Sequence, residues 1–313
     1  MRRYLFAATL AVAGLLAVQS TAGALMIAFQ PAPMRALTAD VVIVGKVTAI
    51  EKDTVDAEPL PGQKQKVAYK VAVVKIETPL AGANNITHVK IGFIPPPKAD
   101  PAQPVDPNVP VRPIRPIRPG IQMPELKEGT EMLFFLIKHH AADFYMMPNM
   151  SPPVDVKTEG SKTELAEVKK IVALIAEPMK GLKSDKLETR VETAAALIMK
   201  YGAYPQFGGE VDRVAIDKDE SKLILKAIAE ADWKQQVRPV PGRNAMLNPM
   251  QAFYQLQLNE KDGWKPPVFP RPMPGQPPVD FNAIQKEAFV KWLEGAGKDY
   301  VVKKNVAKKP SEK

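Results

Sequence analysis

The stretch "ADVVIVGKVTAI", residues 39–50, decides the fold of the first half of the chain. It is rich in β-branched side chains, which favour strands, and apolar and polar residues begin to alternate near its end. Such alternation is typical of a strand with one buried face. The sequence therefore predicts that the first folded unit begins with a β-strand here.

Four more segments show strand patterns. Residues 66–77 repeat the alternation, residues 86–94 predict a third strand, and residues 144–147 predict a short fifth strand. The fourth strand, predicted over 130–139, contains the run "MLFFLI". Because this run is apolar on both faces, we expect the fourth strand to be central.

The second strand is expected to end in a turn over residues 76–82. Pro79 has no N–H group with which to extend a ladder of hydrogen bonds. Gly82 can adopt the positive φ that many turns require. The two residues together predict that the strand ends in this turn.

Five strands in this order resemble a small closed barrel of the OB type. The segments "ADVVIVGKVTAIE", "VVKIETPLAG" and "LKEGTEMLFFLI" are similar to the netrin-like and metalloproteinase-inhibitor-like OB domains of secreted proteins, over about residues 39–150. The inhibitors of that group act through an N-terminal cysteine on the zinc of the protease, and this chain has no cysteine. The resemblance therefore implies a fold and transfers no functional residue. A flat or sandwich arrangement of the same strands is the alternative.

The second half of the chain is patterned for helices. Ser161 and Glu164 form a capping-box pattern, and apolar residues then recur at helical spacing. The next segment, "LKSDKLETRVETAAALIMKYG", is similar to one helix of a HEAT repeat, of which a stacked array needs at least about three copies. Three further helices are expected around 224–231, from Asn248 to about 258, and from Asp280 to Gly295.

These patterns predict an α+β fold with segregated parts, namely a five-stranded OB-like β-barrel followed by an α-helical domain. The expected division is a signal peptide at 1–24, a linker at 25–38, an OB-like β domain at 39–155 with a proline-rich insertion at 95–124, a helical domain at 160–300 and a lysine-rich tail at 301–313. The tail is expected to fray, as chain ends often do.

The start of the chain has the pattern of a secretory signal peptide. Arg2 and Arg3 precede an apolar run over residues 5–18, and an A-x-A site ends at Ala24. We expect cleavage before Leu25 and export to the periplasm or the extracellular space, with no membrane span after cleavage. The alternative is an uncleaved N-terminal anchor.

Composition limits the classes of partner. The net charge of +9 falls to +7 once the two arginines of the leader are removed. A basic exported protein favours an anionic polymer or an acidic protein surface, and nucleic acid is not expected as a partner after export. The lack of cysteine excludes disulfide scaffolds, thiol nucleophiles and thiolate metal sites.

Prolines recur at every third residue from Pro101 to Pro119, inside the proline-rich insertion. Polyproline II has three residues per turn, so these prolines share one edge of the predicted segment. Arg112, Arg115 and Arg118 share a second edge, which we call the arginine edge. It is the candidate binding site, since guanidinium groups match carboxylates and other oxyanions. The alternative is a spacer whose arginines face water.

We find no catalytic motif and expect no cofactor or metal. His139 and His140 are adjacent at a strand end, so their side chains are expected on opposite faces, where they cannot easily share a metal. A site built from one of them with Asp143 is the alternative. Ser151 and Ser161 are expected in turn and cap roles.

An aromatic-rich stretch near the C-terminus has two interpretations, a platform for carbohydrate or ordinary core and linker packing. Its members are Phe253, Tyr254, Trp264 and Phe269.

The sequence favours an exported, non-catalytic binding or scaffold protein. Two alternatives stay open: a secreted hydrolase with carboxylates in an inter-domain cleft, and a cysteine-free barrel that resembles protease inhibitors. An enzyme should show a deep pocket with converging ionisable groups, so the chemistry of the pockets discriminates among these classes.

Overall fold

A computed structural model of the protein describes residues 30–94, 126–148, 151–233, 248–271 and 279–308. Helices and strands both occur in these ranges, which confirms the α+β class. The main sheet contains β1 (Val41–Ala57), β2 (Val67–Ala81), β3 (His88–Phe93), β4 (Glu131–Lys138), β5 (Tyr145–Met146) and β6 (Val154–Asp155). All five predicted strands are present, while the predicted signal peptide and the predicted polyproline segment lie outside the described residues.

Five of these strands are joined in a ring of hydrogen bonds. β1 pairs with β2 along one side and with β4 along the other, and β2 pairs with β3. The short β5 closes the ring, because it pairs with β3 in parallel and with β4 in antiparallel orientation. β6 pairs with the opposite end of β4. β4 therefore has neighbours on both sides, as its apolar run predicted.

Alternation divides the strands into two buried faces. Val41 and Ile43 of β1 lie with Phe134 of β4 in one apolar cluster. The residues between them point the other way, and Val42 packs with Phe135 beneath helices. Both faces of β1 and β4 thus exclude water at their paired ends, which explains the near-continuous apolar runs in their sequences.

The predicted end of the second strand was wrong. β2 continues to Ala81, and Pro79 lies opposite Ile43 of β1. The missing N–H of Pro79 is tolerated because β3 pairs with β2 only over residues 70–75, which leaves one side of this end without a partner strand. The register between β1 and β2 also shifts beside this pair.

Part of the predicted linker is a buried helix. Residues 32–38 form α1 (Ala32–Thr38), and α2 (Glu159–Ala176) follows the sheet. Ala36 of α1 and Val168 of α2 pack on the sheet face that holds Val42. The linker interpretation failed for these residues because the helix is short and its apolar residues fill less than two turns.

The start of α2 also differs from the prediction. The helix begins at Glu159 after Thr158, so Ser161 is a buried residue of the first turn and does not cap the helix. Its hydroxyl donates a hydrogen bond to the carbonyl oxygen of Thr158.

The rest of the described chain builds a second apolar core from helices and a two-stranded sheet. Its elements are α3 (Pro178–Leu182), α4 (Leu187–Gly202), β7 (Val211–Ala215), α5 (Lys218–Glu230), α6 (Pro249–Gln255), a 3₁₀ turn (Glu260–Asp262), α7 (Phe281–Glu294) and β8 (Lys303–Ala307). Asn248 and Asp280 accept backbone hydrogen bonds at the starts of α6 and α7, as predicted. No helix in the described ranges is long and apolar enough to span a bilayer.

The predicted fraying of the tail was wrong for residues 303–307. They form β8, which pairs antiparallel with β7. Val302, just before this strand, is buried, and its N–H donates to the hydroxyl of Ser221. This buried anchor holds the chain against the helical core.

The aromatic stretch packs mostly inward. Phe253 and Trp264 are buried in the helical core with ring centroids 5.3 Å apart. They have no free face for a sugar, so core packing is the correct interpretation for them. Tyr254 and Phe269 are exposed.

Candidate functional site

The structure offers an apolar cleft beside the ring of strands. Its volume is about 380 Å³, within the range of small-molecule pockets. Loop residues after β1, side chains of β2 and β3, the segment after β5 and a loop after α4 contribute to its wall. We define the apolar cleft by Leu60, Tyr69, Phe93, Ile94, Met147 and Phe207.

Phe207 brings the loop after α4 into contact with the β unit. Its ring stacks on His140 with centroids 5.1 Å apart and an interplanar angle of 18°. His139 lies behind this pair, 4.8 Å from the ring of Phe144 and 5.6 Å from that of Tyr69. The cleft wall is thus backed by a cluster of aromatic and imidazole rings.

The prediction that His139 and His140 point to opposite faces was wrong. Their ring centroids are 4.6 Å apart in an edge-to-face arrangement. The reason is that β4 ends at Lys138, so the alternation of a strand no longer applies. The chain turns back at this point, where the N–H of His139 donates to the carbonyl oxygen of Phe144.

The histidine pair lacks the partners of a metal site. No group of three potential ligands among histidine, cysteine, aspartate and glutamate occurs in the described part of the chain. The alternative site of one histidine with Asp143 therefore has no third protein ligand there. The described side chains that line the cleft are mostly apolar.

His139 is held as a neutral, buried ring. Its Nδ1 accepts hydrogen bonds from the N–H groups of Ala141 and Ala142, at 3.1 and 3.0 Å. Burial lowers the pKa of His139, the neighbouring His140 lowers it further, and the main chain of Glu58 acts in the opposite direction. A proton must therefore reside on Nε2, because Nδ1 serves as the acceptor.

The depressed pKa of His139 predicts a loss of stability in mild acid. The unfolded chain binds a proton at about pH 6.5, while the folded protein resists it. Stability is therefore present above this pH and falls as the pH is lowered towards the pKa of the folded state. We expect the melting temperature to drop between about pH 7 and pH 5.

The matched control is His139→Asn, whose side-chain oxygen can accept the same two N–H groups and does not titrate. Melting curves of both proteins across this pH range should show a shallower decline for the variant. Equal slopes would contradict the assignment of acid sensitivity to His139.

A second pocket adjoins the apolar cleft and shares Pro148 and Gln206 with it. Its volume is about 520 Å³. We call it the basic pocket and define it by Arg35, Ser151, Tyr204, Gln206 and Gln255. Arg35 is the one charged side chain among its described lining residues.

Arg35 is buried against the outer face of the sheet. Its guanidinium lies 4.6 Å from the centroid of the Phe135 ring and donates from Nη1 to the carbonyl oxygen of Pro152. Burial lowers the pKa of Arg35, and the charge of Glu164 raises it. The side chain stays protonated at neutral pH because an arginine starts from a very high pKa.

Comparison with models of known protein families and with curated proteins finds no match for this chain. The interpretation of the two pockets therefore depends on their own chemistry.

Sequence reasoning singled out the arginine edge and missed both pockets. Arg112, Arg115 and Arg118 lie outside the described residues. Arg35 was not recognised because its segment was predicted to be a linker. The helical spacing of Ala32, Ala36 and Leu37 was the signal that could have indicated a helix there. The other pocket residues come from distant parts of the chain, and no local pattern marks them.

Proposed function

We propose that this chain is an exported, non-catalytic binding protein that holds the apolar part of a small ligand in the apolar cleft. One observation carries the proposal: a cleft of about 380 Å³ whose described lining side chains are aromatic, methionine, proline and aliphatic, apart from those of Tyr69 and Gln206, while main-chain groups also contribute polar surface. Such a surface gains free energy by removing apolar ligand surface from water. The leader pattern of residues 1–24 supports export.

The side chains that line the apolar cleft do not favour the hydrolase alternative. A hydrolase needs converging carboxylates or an activated nucleophile at its pocket. The described lining residues of the apolar cleft include no charged side chain. Binding is the function that these residues support best.

We also propose that the ring of strands corresponds to the OB-like barrel expected from the sequence. Support comes from the five strands that the ring joins. In OB folds, oligonucleotides and oligosaccharides bind on the face of strands 2 and 3 and on the loops between strands 1 and 2 and between strands 4 and 5. The apolar cleft uses that region, since Pro59 and Leu60 follow β1, Tyr69 lies in β2 and Phe93 in β3. A loop-based inhibitor remains an alternative use of the same fold.

The proposed function is tested with the neutral apolar dye N-phenylnaphthylamine, whose fluorescence rises in apolar surroundings. Ile94→Asp places a carboxylate at the cleft, where ligand binding would have to remove its water. We expect this variant to bind the dye at least about tenfold more weakly than the parent, equivalent to about 1.4 kcal/mol.

The matched control is Ile86→Asp. Both isoleucines are exposed, and only Ile94 lines the cleft. The control should bind the dye as the parent does. A parent protein that fails to bind the dye, or two variants that bind it equally, would overturn the proposal.

The arginine edge is proposed as a separate contact for an anionic polymer or an acidic protein surface. Replacing Arg112, Arg115 and Arg118 by glutamine should weaken binding to polyglutamate, and added salt should weaken binding of the parent. Thermal stability should change by no more than about 0.5 kcal/mol if these side chains are exposed. Equal polyglutamate binding by parent and variant would reduce the edge to a solvated surface.

A further inference from the structure

The basic pocket contains polar groups that the fold leaves without partners. Arg35 is 8% exposed and Ser151 is 6% exposed. Among the described residues, neither Nε of Arg35 nor the hydroxyl of Ser151 has a hydrogen-bond partner. Both atoms are shielded from water, although the residues that carry them line the pocket. Buried polar groups without partners are costly, so a small side-chain shift that brings them to an acceptor on a ligand in the pocket would be favourable.

The two side chains are held on one short segment. The guanidinium of Arg35 donates to the carbonyl oxygen of Pro152, the residue that directly follows Ser151. Ser151 is fixed in turn by its own N–H, which donates to the carbonyl oxygen of Pro148 at 3.0 Å. Charge and hydroxyl are therefore positioned at the same wall of the pocket by the main chain.

Glu164 is the carboxylate whose charge acts on Arg35 within the protein. Glu164 is near enough to raise the pKa of Arg35. Its buried Oε2, however, also lacks a hydrogen-bond partner among the described residues. Glu164 is not a described lining residue of the pocket. The carboxylate that opposes Arg35 therefore lies outside the described walls of the pocket, where Arg35 is the one charged side chain.

We propose that the basic pocket binds the carboxylate of an amphiphilic ligand whose apolar chain or ring occupies the apolar cleft. This inference rests on the proposed function, because it assigns the head group of the same ligand. One guanidinium matches one negative charge, and its planar fork suits the two oxygens of a carboxylate. Pro148 and Gln206 line both pockets, so a single molecule can extend from one to the other.

Gln206 and Gln255 complete the polar surroundings of the head group. Both carry side-chain amides that can donate to an anion and both line the pocket. The amide of Gln206 has a long hydrogen bond of 3.5 Å to the carbonyl oxygen of Thr38. Such a weak bond can be exchanged for a stronger one to a charged acceptor.

The inference is tested by displacing N-phenylnaphthylamine with decanoate and with decanol, which share a chain and differ in head group. The parent protein should bind decanoate at least about tenfold more tightly than decanol, since hydrogen bonds to charged groups are the stronger kind. In Arg35→Gln this preference should disappear, while affinity for decanol and for the dye stays within about twofold.

A second variant tests the inference in case Arg35→Gln does not fold. Gln206 is exposed, so Gln206→Glu should fold and bring a negative charge to the junction of the two pockets. Gln206→Glu should lower the preference for decanoate over decanol at least about tenfold, and Gln206→Ala should change this preference much less.

The outcomes separate this inference from the proposed function. If the parent binds the dye and decanoate shows no advantage over decanol, the carboxylate site is wrong and the apolar cleft stands. If Gln206→Glu retains the full preference for decanoate, the head group lies elsewhere and the inference is also overturned. If the parent does not bind the dye, both the proposed function and the carboxylate site are wrong.

Discussion

Replacing Phe289 by alanine is expected to lower the free energy of unfolding by about 3–5 kcal/mol. Phe289 is 0% exposed in the helical core, where its ring lies 5.2 Å from Phe253, 5.8 Å from Trp233 and 5.7 Å from Trp292. Alanine would leave a cavity among these large rings. Their size and mutual contacts limit how far the core can collapse to fill it.

The same helix supplies a matched control. Phe281 lies at the start of α7, is 44% exposed and contacts the ring of Phe269. Phe281→Ala should change stability by no more than about 0.5 kcal/mol, as surface substitutions usually do. Urea unfolding of parent and both variants measures the difference. Comparable losses in the two variants would contradict the burial of one face of α7.

The strands of the ring were predictable because each carries its own local pattern. β-branched residues and alternation mark β1, and the run apolar on both faces marks β4 as central. These patterns arise because successive side chains of a strand point to opposite faces of the sheet. A face that is shielded from water therefore requires an apolar side chain at every second residue. How the strands close into a ring is a long-range property that the patterns do not contain.

The elements missed from the sequence share weak local signals. β7 has no fully buried residue in the structure, and β8 lies in the lysine-rich tail. Their pairing stabilises two segments that lie about 90 residues apart in the chain, as the partners Asp212 and Val306 show. Neither segment shows enough apolar alternation to predict a strand by itself.

The candidate site was less predictable than the fold. The N–H of Ser151 donates to the carbonyl oxygen of Pro148, but the burial of Ser151 and its hydroxyl, which has no partner among the described residues, depend on distant contacts. His139 and His140 came together because the strand ended one residue earlier than predicted. The residues that line a pocket are brought together by tertiary contacts between distant segments. A single sequence does not show these contacts, so it does not reveal the pocket.

Gly82→Ala is expected to cost about 2–5 kcal/mol, with about 1–2 from a left-handed backbone and about 1–3 from overpacking. Gly82 follows β2 and has a φ of +67°, as its predicted turn role requires. A Cβ at this position would overlap the backbone carbonyl oxygen of Asp40. Asp40 cannot move freely, because its N–H donates to Leu136 and its carboxylate accepts from the N–H of Lys138.

The strain from φ and the steric overlap can be separated with Gly129→Ala. Gly129 precedes β4 with a φ of +82°, and a Cβ there would meet nothing within 4 Å. This variant should lose only about 1–2 kcal/mol, the cost of the left-handed region alone. Urea unfolding should therefore rank the parent above Gly129→Ala and Gly129→Ala above Gly82→Ala. Equal losses at the two positions would show that Asp40 yields to the added methyl group, and that the contact between β1 and the end of β2 is looser than the ring of hydrogen bonds implies.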